Sequence, residues 1–257
     1  MRLAAYQFGV TGDVKQNMSV ISDAVRQAAE CKADLIIFPE CAVTGYPPRN
    51  IDNAESIDLP AVETAINDLR KLSDSLGIVI IAGTIFFDSG YHNRACLFSP
   101  GRKVSWYGKR ALYGWDEDNF VPGREDGIFR IGDLTVGVRI CFEIRFPEYF
   151  RELYRAHTDL DIVLFYDVAD KDDAERYDLI KSHIVTRAVE NVTPLLSVNA
   201  TAPFQTAPTC FVNASGRIIA ECARNTEELL VIDFAGQAPD FGEKGRIRYS
   251  DLLSGRN

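Results

Sequence analysis

Histidine is scarce in this chain. His92, His157 and His183 are the only three in 257 residues. None stands at a ligand spacing, so zinc is a poor reading, and serine or cysteine chemistry that leans on an imidazole has little to draw on. The six cysteines are scattered without a C-x-x-C pair, which excludes the disulfide framework of a short secreted domain. No apolar run approaches the roughly 18 residues of a membrane helix. The opening MRLAAYQFGV, broken by Gln7, reads as a first strand and not as a signal peptide. Basic charge is short too: 28 Lys and Arg against 37 Asp and Glu leave a net charge of −9. That balance disfavours nucleic acid and anionic membrane surfaces as partners. The expected compartment is the reducing cytoplasm, where the sequons at Asn17, Asn191, Asn199 and Asn213 carry no meaning.

What remains is an ordinary globular composition, 46% apolar and 25% charged. The length suits one large α/β domain, taken here as residues 1–257. Apolar spacing predicts helices over 15–32, 59–76, 147–156 and 173–190. Strands are predicted over 2–8, 34–38, 78–85, 93–99, 102–108, 134–140, 162–166, 194–199, 209–213, 217–221 and 229–234, with a polar tail after them. Runs such as Leu35-Ile36-Ile37-Phe38 imply strands covered on both faces, hence a layered α/β fold.

Several familiar signatures are missing. No G-x-G-x-x-G follows a strand, no G-x-S-x-G occurs, and Asp167–Asp173 lacks the glycine and terminal glutamate of a calcium loop, so it reads as a solvated acidic loop. Three positions stand out instead. Glu40 follows a buried strand and Pro39 directly. Lys109 ends the aromatic strand Trp106-Tyr107-Gly108. Cys141 ends the apolar strand Val138-Arg139-Ile140, just before a helix opened by Pro147. Open α/β sheets gather their sites at such strand ends. Singly each has a bland alternative: a loop cap, a solvated lysine, a core thiol. Jointly they make chemical sense. Glu40 would take the thiol proton and later activate water, Cys141 would attack a carbonyl-type carbon, and Lys109 with the Phe142 N–H would stabilise the oxyanion.

At these residues the sequence resembles the nitrilase superfamily of carbon–nitrogen hydrolases. The marks are Phe38-Pro39-Glu40, Tyr107-Gly108-Lys109-Arg110-Ala111-Leu112, and the segment from Cys141 through Arg145-Phe146-Pro147-Glu148. Flanking marks agree: Asn93, Phe120-Val121-Pro122-Gly123, and Arg187-Ala188-Val189-Glu190-Asn191. The likeness runs from the first strand to about residue 234. It implies a four-layer α-β-β-α sandwich, a Glu–Lys–Cys triad, a thioester intermediate and no cofactor. It also implies a homodimer or larger homo-oligomer, paired through the face of the helices near the Cys and Arg187–Asn191 segments.

The resemblance extends to substrate. The Cys141–Glu148 form is similar to the omega-amidase and Nit branch, in which the position of Arg145 is placed to hold a substrate carboxylate, and an arginine grips a carboxylate with two parallel hydrogen bonds. The plainer alternative pairs Arg145 with Glu143 or Glu148. Tyr46 and Trp115 are candidate pocket walls, or packing residues. Asp167 stands where related amidases carry proline, which alters the pocket floor. Many members place a second glutamate near Lys109; here Asp116 and Glu117 compete, and Glu117 is preferred for its reach. Cys41 reads as a support beside Glu40, and Cys31, Cys96, Cys210 and Cys222 as packing residues. The expected activity is hydrolysis of a small linear amide. An N-carbamoyl amide hydrolase, a nitrilase and a catalytically silent binding subunit are the alternatives.

Overall fold

The protein is described from a computed structural model, over residues 1–236 and 238–253. Among the described residues, fourteen strands and six α-helices follow one another. The first half contains β1 (Arg2–Gln7), α1 (Val14–Glu30), β2 (Leu35–Ile37), α2 (Leu59–Leu76), β3 (Val79–Phe87), β4 (Tyr91–Phe98), β5 (Ser105–Gly108) and α3 (Trp115–Asn119). The second contains β6 (Ile128–Ile131), β7 (Leu134–Ile140), α4 (Pro147–Arg155), β8 (Leu160–Phe165), β9 (Val168–Ala169), α5 (Ala174–Asn191) and β10 (Leu195–Asn199). The chain closes with β11 (Phe204–Gln205), β12 (Cys210–Val212), β13 (Ile218–Glu221), β14 (Glu228–Asp233) and α6 (Phe241–Leu253).

Two six-stranded sheets result, ordered β14-β1-β2-β3-β4-β5 and β13-β12-β10-β8-β7-β6, with β9 and β11 forming a small ribbon. The middle of each sheet is parallel: β1, β2 and β3 in one, β7, β8 and β10 in the other. Side chains such as Leu3, Ile37, Ile81, Val138, Ile162 and Leu196 fill the space between the sheets. Outer clusters join α1 and α2 to the first sheet, and α4 and α5 to the second. This is the expected four-layer sandwich. Each fully buried Ile or Leu in it contributes roughly 1.5–3 kcal/mol through apolar area removed from water.

Local chemistry explains the boundaries. Asp58 caps α2 by accepting from the Ala61 N–H at 3.0 Å, Pro60 occupies the first turn, and Gly77 ends the helix at φ +68°. The predicted elements recur within two or three residues. Missed were α3, β6, the β9/β11 ribbon and α6. Helix α6 lay in the tail predicted to be merely polar. It buries none of its described residues, so it carries no apolar stripe to be read. One packing assignment fails as well: Cys31 is exposed, because it caps the end of α1 beyond the buried stripe that closes at Ala28. Cys96, Cys210 and Cys222 are buried as expected. Among the described helices none is long and apolar enough to cross a membrane.

Candidate active site

Strand ends from both sheets converge at one place. β2 runs out through Phe38 and Pro39 to Glu40, β5 into Lys109, β7 into Cys141, and β8 into Tyr166. The turn after β2 lies hard against β3: a Cβ on Gly83 would sit 2.4 Å from the Pro39 carbonyl oxygen and 2.6 Å from the Glu40 Cα. Only glycine admits that approach. Gly123 performs a similar service for lysine. Its N–H donates to the Lys109 carbonyl at 2.9 Å, and a Cβ there would strike the Gly108 carbonyl oxygen at 2.1 Å.

Lys109 Nζ donates to Glu40 Oε1 at 2.8 Å and to Asp116 Oδ2 at 2.7 Å, and all three side chains are at least 95% buried. Glu40 also accepts from Asn93 Nδ2 at 2.7 Å and from the Tyr166 N–H at 2.9 Å. Asn93 contributes twice, since its carbonyl receives the Lys109 N–H at 2.8 Å. Burial pushes the Glu40 carboxyl above the usual range and Lys109 opposes it, while nearby Asp116 adds to the rise. Burial alone would lower the Lys109 pKa. Its carboxylate neighbours, Glu40 above all, reverse this and hold its pKa well above the ordinary value.

Cys141 is half-buried and opens a short 3-10 turn, Cys141–Arg145, at φ +44°. A left-handed conformation costs a non-glycine residue of order 1–2 kcal/mol, so the surroundings must enforce it. Burial and the Glu40 carboxylate push the thiol pKa well up, against Lys109 and the Tyr166 N–H. The resting sulfur is therefore a thiol that needs a base, and a buried carboxyl with a raised pKa suits that task. The Arg187–Asn191 segment supports the turn from α5: Arg187 Nε donates to the Ile144 carbonyl at 3.0 Å, and its guanidinium pairs with Glu190 at 2.7 Å.

The structure corrects the choice of lysine partner. Asp116 reaches Lys109, whereas Glu117 is exposed. Asp116 on α3 and Phe120, the residue that caps its C-terminus, are both buried, which turns Glu117 outward. The extra reach of glutamate counted for nothing against that geometry. Tyr46 supports the same group. Its hydroxyl donates to Asp116 Oδ1 at 2.5 Å and its ring stacks on Tyr166 at 4.9 Å. Trp115 is half-buried and packs edge-on against Phe120 at 5.4 Å. Phe142, beside the thiol, stacks on Tyr113 and meets Phe146 edge-on.

Asp167 is not an open pocket floor. Arg176 grips both of its oxygens at 2.8 and 3.0 Å, and the Thr206 hydroxyl adds a third donor. Residues 170–172 of that acidic loop are exposed, as expected of a solvated loop, and two of its carboxylates form surface ion pairs, Asp170 with Arg49 at 2.8 Å and Asp172 with Arg224 at 2.5 Å. Arg145 is half-buried and pairs with neither Glu143 nor Glu148. It lies toward α5, where burial first and then Arg145 and Arg187 hold the His183 imidazole below its ordinary pKa. Cys41 is fully buried beside Glu40. Sequence reasoning also passed over Glu143, a buried carboxylate between the lysine and cysteine turns. A charged residue three positions after a strand end, in a mainly apolar stretch, was the available signal. Among the described residues no group of three or more His, Cys, Asp or Glu side chains is gathered as a metal-binding set.

A buried acid and a buried ammonium, set beside an accessible thiol at the ends of parallel strands, suit covalent acyl transfer without imidazole. Residues 2–238 match the carbon–nitrogen hydrolase family, and the chain belongs to it. Among curated relatives, Hydrolase Rv0480c of Mycobacterium tuberculosis is 32% identical over 62% of this chain and 59% of its own length. The 2-oxoglutaramate amidase of Bacillus subtilis is 27% identical over 75% of this chain and 74% of its own, in line with the omega-amidase likeness. The match to the first relatives thus spans about three fifths of their length. The NitN amidase of Nesterenkonia sp. AN1 shares the fold, with a TM-score of 0.82, 24% identity and 99% of each chain covered.

Proposed function

We propose that this chain is an amidase that cleaves the C–N bond of a small linear amide to give an acid and ammonia. The observation that carries this reading is the buried Glu40–Lys109–Asp116 cluster beside the half-buried Cys141. Glu40 accepts the thiol proton as Cys141 Sγ attacks the amide carbon. Lys109 Nζ has spent two donors on carboxylates, and its third is available to the developing oxyanion, aided by the Phe142 N–H. Collapse of the tetrahedral intermediate breaks the C–N bond, and the proton held by Glu40 leaves with ammonia. Glu40 then takes a proton from water, whose oxygen attacks the thioester. The acid departs, the thiol is restored and no cofactor is consumed.

A carboxylate-bearing substrate is the finer part of the proposal. It is supported by the half-buried Arg145, which has no ion-pair partner among the described residues, and by a 2-oxoglutaramate amidase among the relatives. Residues Tyr46, Trp115 and Phe142 line the approach, and Asp167 shapes it through Arg176. Glu117 drops out of the catalytic set in favour of Asp116. A homodimer or larger homo-oligomer belongs to the same proposal, because Leu179 on α5 and Tyr249, Leu252 and Leu253 on α6 are exposed on neighbouring helices. So does a cytoplasmic setting, which keeps the reactive thiol reduced.

The test is a panel of small amides, assayed for ammonia and carbon dioxide separately. Wild type releases ammonia alone and Cys141→Ala releases none. Carbon dioxide in equal amount moves the assignment to an N-carbamoyl amide hydrolase, and turnover retained by Cys141→Ala ends the thioester reading. A Glu40→Gln variant incubated with the pool should carry an acyl adduct in an intact-mass spectrum, and its mass names the acid.

A further inference from the structure

Glu143 lies two residues beyond the thiol, is fully buried, and takes no part in the reaction just described. Its carboxylate faces two ways. Oε2 accepts the Ile140 N–H at 2.7 Å, so the side chain closes the turn that holds Cys141 in its left-handed conformation. Oε1 accepts the Arg110 N–H at 2.8 Å and the Tyr107 hydroxyl at 2.7 Å, with the Ala111 N–H at 3.4 Å. Those donors belong to the residues on either side of Lys109. The two catalytic turns come from different sheets, and strand pairing within a sheet cannot set the distance between them.

We infer that Glu143 is a positioning residue: one carboxylate locks the Cys141 turn to the Lys109 turn and thereby fixes where the nucleophile stands relative to the cation. The inference rests on reading Cys141 and Lys109 as the reacting pair. A carboxylate is the group this place requires, because both oxygens must accept at once. Glutamine cannot do so, since whichever end carries its NH2 meets an N–H or O–H donor head-on. Aspartate falls one methylene short of spanning the gap. Because the acid touches neither substrate nor sulfur, it should govern turnover and leave binding alone.

The experiment compares Glu143→Gln with Glu152→Gln in the full chain. Glu152 accepts from the side chains of Arg110 at 2.5 Å and Arg139 at 3.3 Å in the same region, but it holds no backbone N–H of either catalytic turn. Displacements near 1 Å at a reacting centre cost about 100-fold. Glu143→Gln should therefore lower kcat by about that factor, with KM changed less than about threefold. Alkylation of Cys141 by iodoacetamide, read by peptide mass against the exposed Cys31 in the same molecule, should slow by about tenfold or more. Glu152→Gln should keep kcat within about twofold at a similar loss of thermal midpoint, since it leaves the reacting geometry alone. If Glu143→Gln fails to fold, Tyr107→Phe removes a single donor to Oε1 and should lower kcat by a few-fold without altering KM.

Equal losses of kcat in Glu143→Gln and Glu152→Gln at matched stability overturn the inference, as does an effect of Glu143→Gln or Tyr107→Phe confined to KM. Unchanged kcat and unchanged Cys141 alkylation in Glu143→Gln do the same. The alkylation ratio judges Glu143 without any amide substrate, so its outcome is separate from that of the amidase reading, which Cys141→Ala decides.

Discussion

Replacing Asp116 by Asn tests the electrostatics of the cluster in a direction that intuition can easily reverse. The substitution keeps the shape and the Tyr46 contact but removes one of two carboxylates on Lys109. Each of these lies within 2.8 Å of Nζ, so their nearest oxygens are at most about 5.6 Å apart. Two like charges at that distance repel by about 3 kcal/mol at an effective dielectric near 20. Asp116 is thus one reason the Glu40 carboxyl sits above its ordinary range. Glu40 must be ionised to accept the thiol proton, so activity should climb as pH rises through its pKa. Removing Asp116 lowers that pKa, and the acidic limb of kcat/KM should move to lower pH. The plateau should nonetheless fall by about 10- to 100-fold, because Lys109 loses an anchor and aims its remaining proton less well. The assay is kcat/KM on one amide between pH 4 and 9 for both proteins. An acidic limb that stays in place, or moves upward, refutes the assignment of that limb to Glu40 under the influence of Asp116.

Tyr46→Phe removes the hydroxyl donated to Asp116, a hydrogen bond to a charged group worth about 1.5–3 kcal/mol. It should lower kcat by about tenfold with the ring stack on Tyr166 intact; steady-state kinetics check it, and an unaltered kcat contradicts the supporting role. Asp161, on β8, accepts from the Thr158 hydroxyl at 2.7 Å, and burial pushes its carboxyl from 3.8 up to about 7 against Thr158 and Arg139. The folded protein therefore holds this proton more tightly than the unfolded chain. The stability it contributes is complete below about pH 3.8 and is lost as pH rises toward 7, by up to about 4 kcal/mol for three units. Asp161→Asn mimics the protonated acid, so urea unfolding should show the variant more stable than wild type at pH 8 and equal to it near pH 4. A difference independent of pH would contradict the buried, shifted carboxyl.

Much of the fold was legible because its strands are buried on both faces and its long helices carry regular apolar stripes. Leu59–Leu76 was read to the residue, since Asp58, Pro60 and Gly77 mark both ends. Elements without such a stripe, α3 and α6, were not legible. At the site, Glu40, Lys109 and Cys141 were visible as polar groups placed where apolar strands end, and the structure brings strand ends of both sheets to one locus. Their supports were harder to see, because a support is defined by a contact across the sandwich. Asp116 differs from Glu117 only in which way a five-residue helix faces. Asp167 and Arg176 resemble any exposed pair until the bidentate contact is known. Glu143 stands out locally only as a charge in a mainly apolar stretch, and its partners Tyr107, Arg110 and Ala111 lie more than 30 positions away.

The scarcity of histidine acquires a physical meaning from this arrangement. An imidazole titrates near neutrality without help, whereas a carboxylate must be buried to become a useful base there. Burial of ions is expensive, several kcal/mol each even after relaxation, and Glu40, Lys109 and Asp116 are buried together. That cost is tolerable only where every oxygen has a donor and little can move. Glu40 is held by Lys109, Asn93 and the Tyr166 N–H, and Asp116 by Lys109 and Tyr46. The glycines at 83 and 123 let backbone close around the group where any side chain would intrude. The same logic accounts for the position of the nucleophile. Cys141 alone among the four is half-exposed, because it must meet the substrate, and its left-handed turn depends on the rigid shell that the buried charges demand.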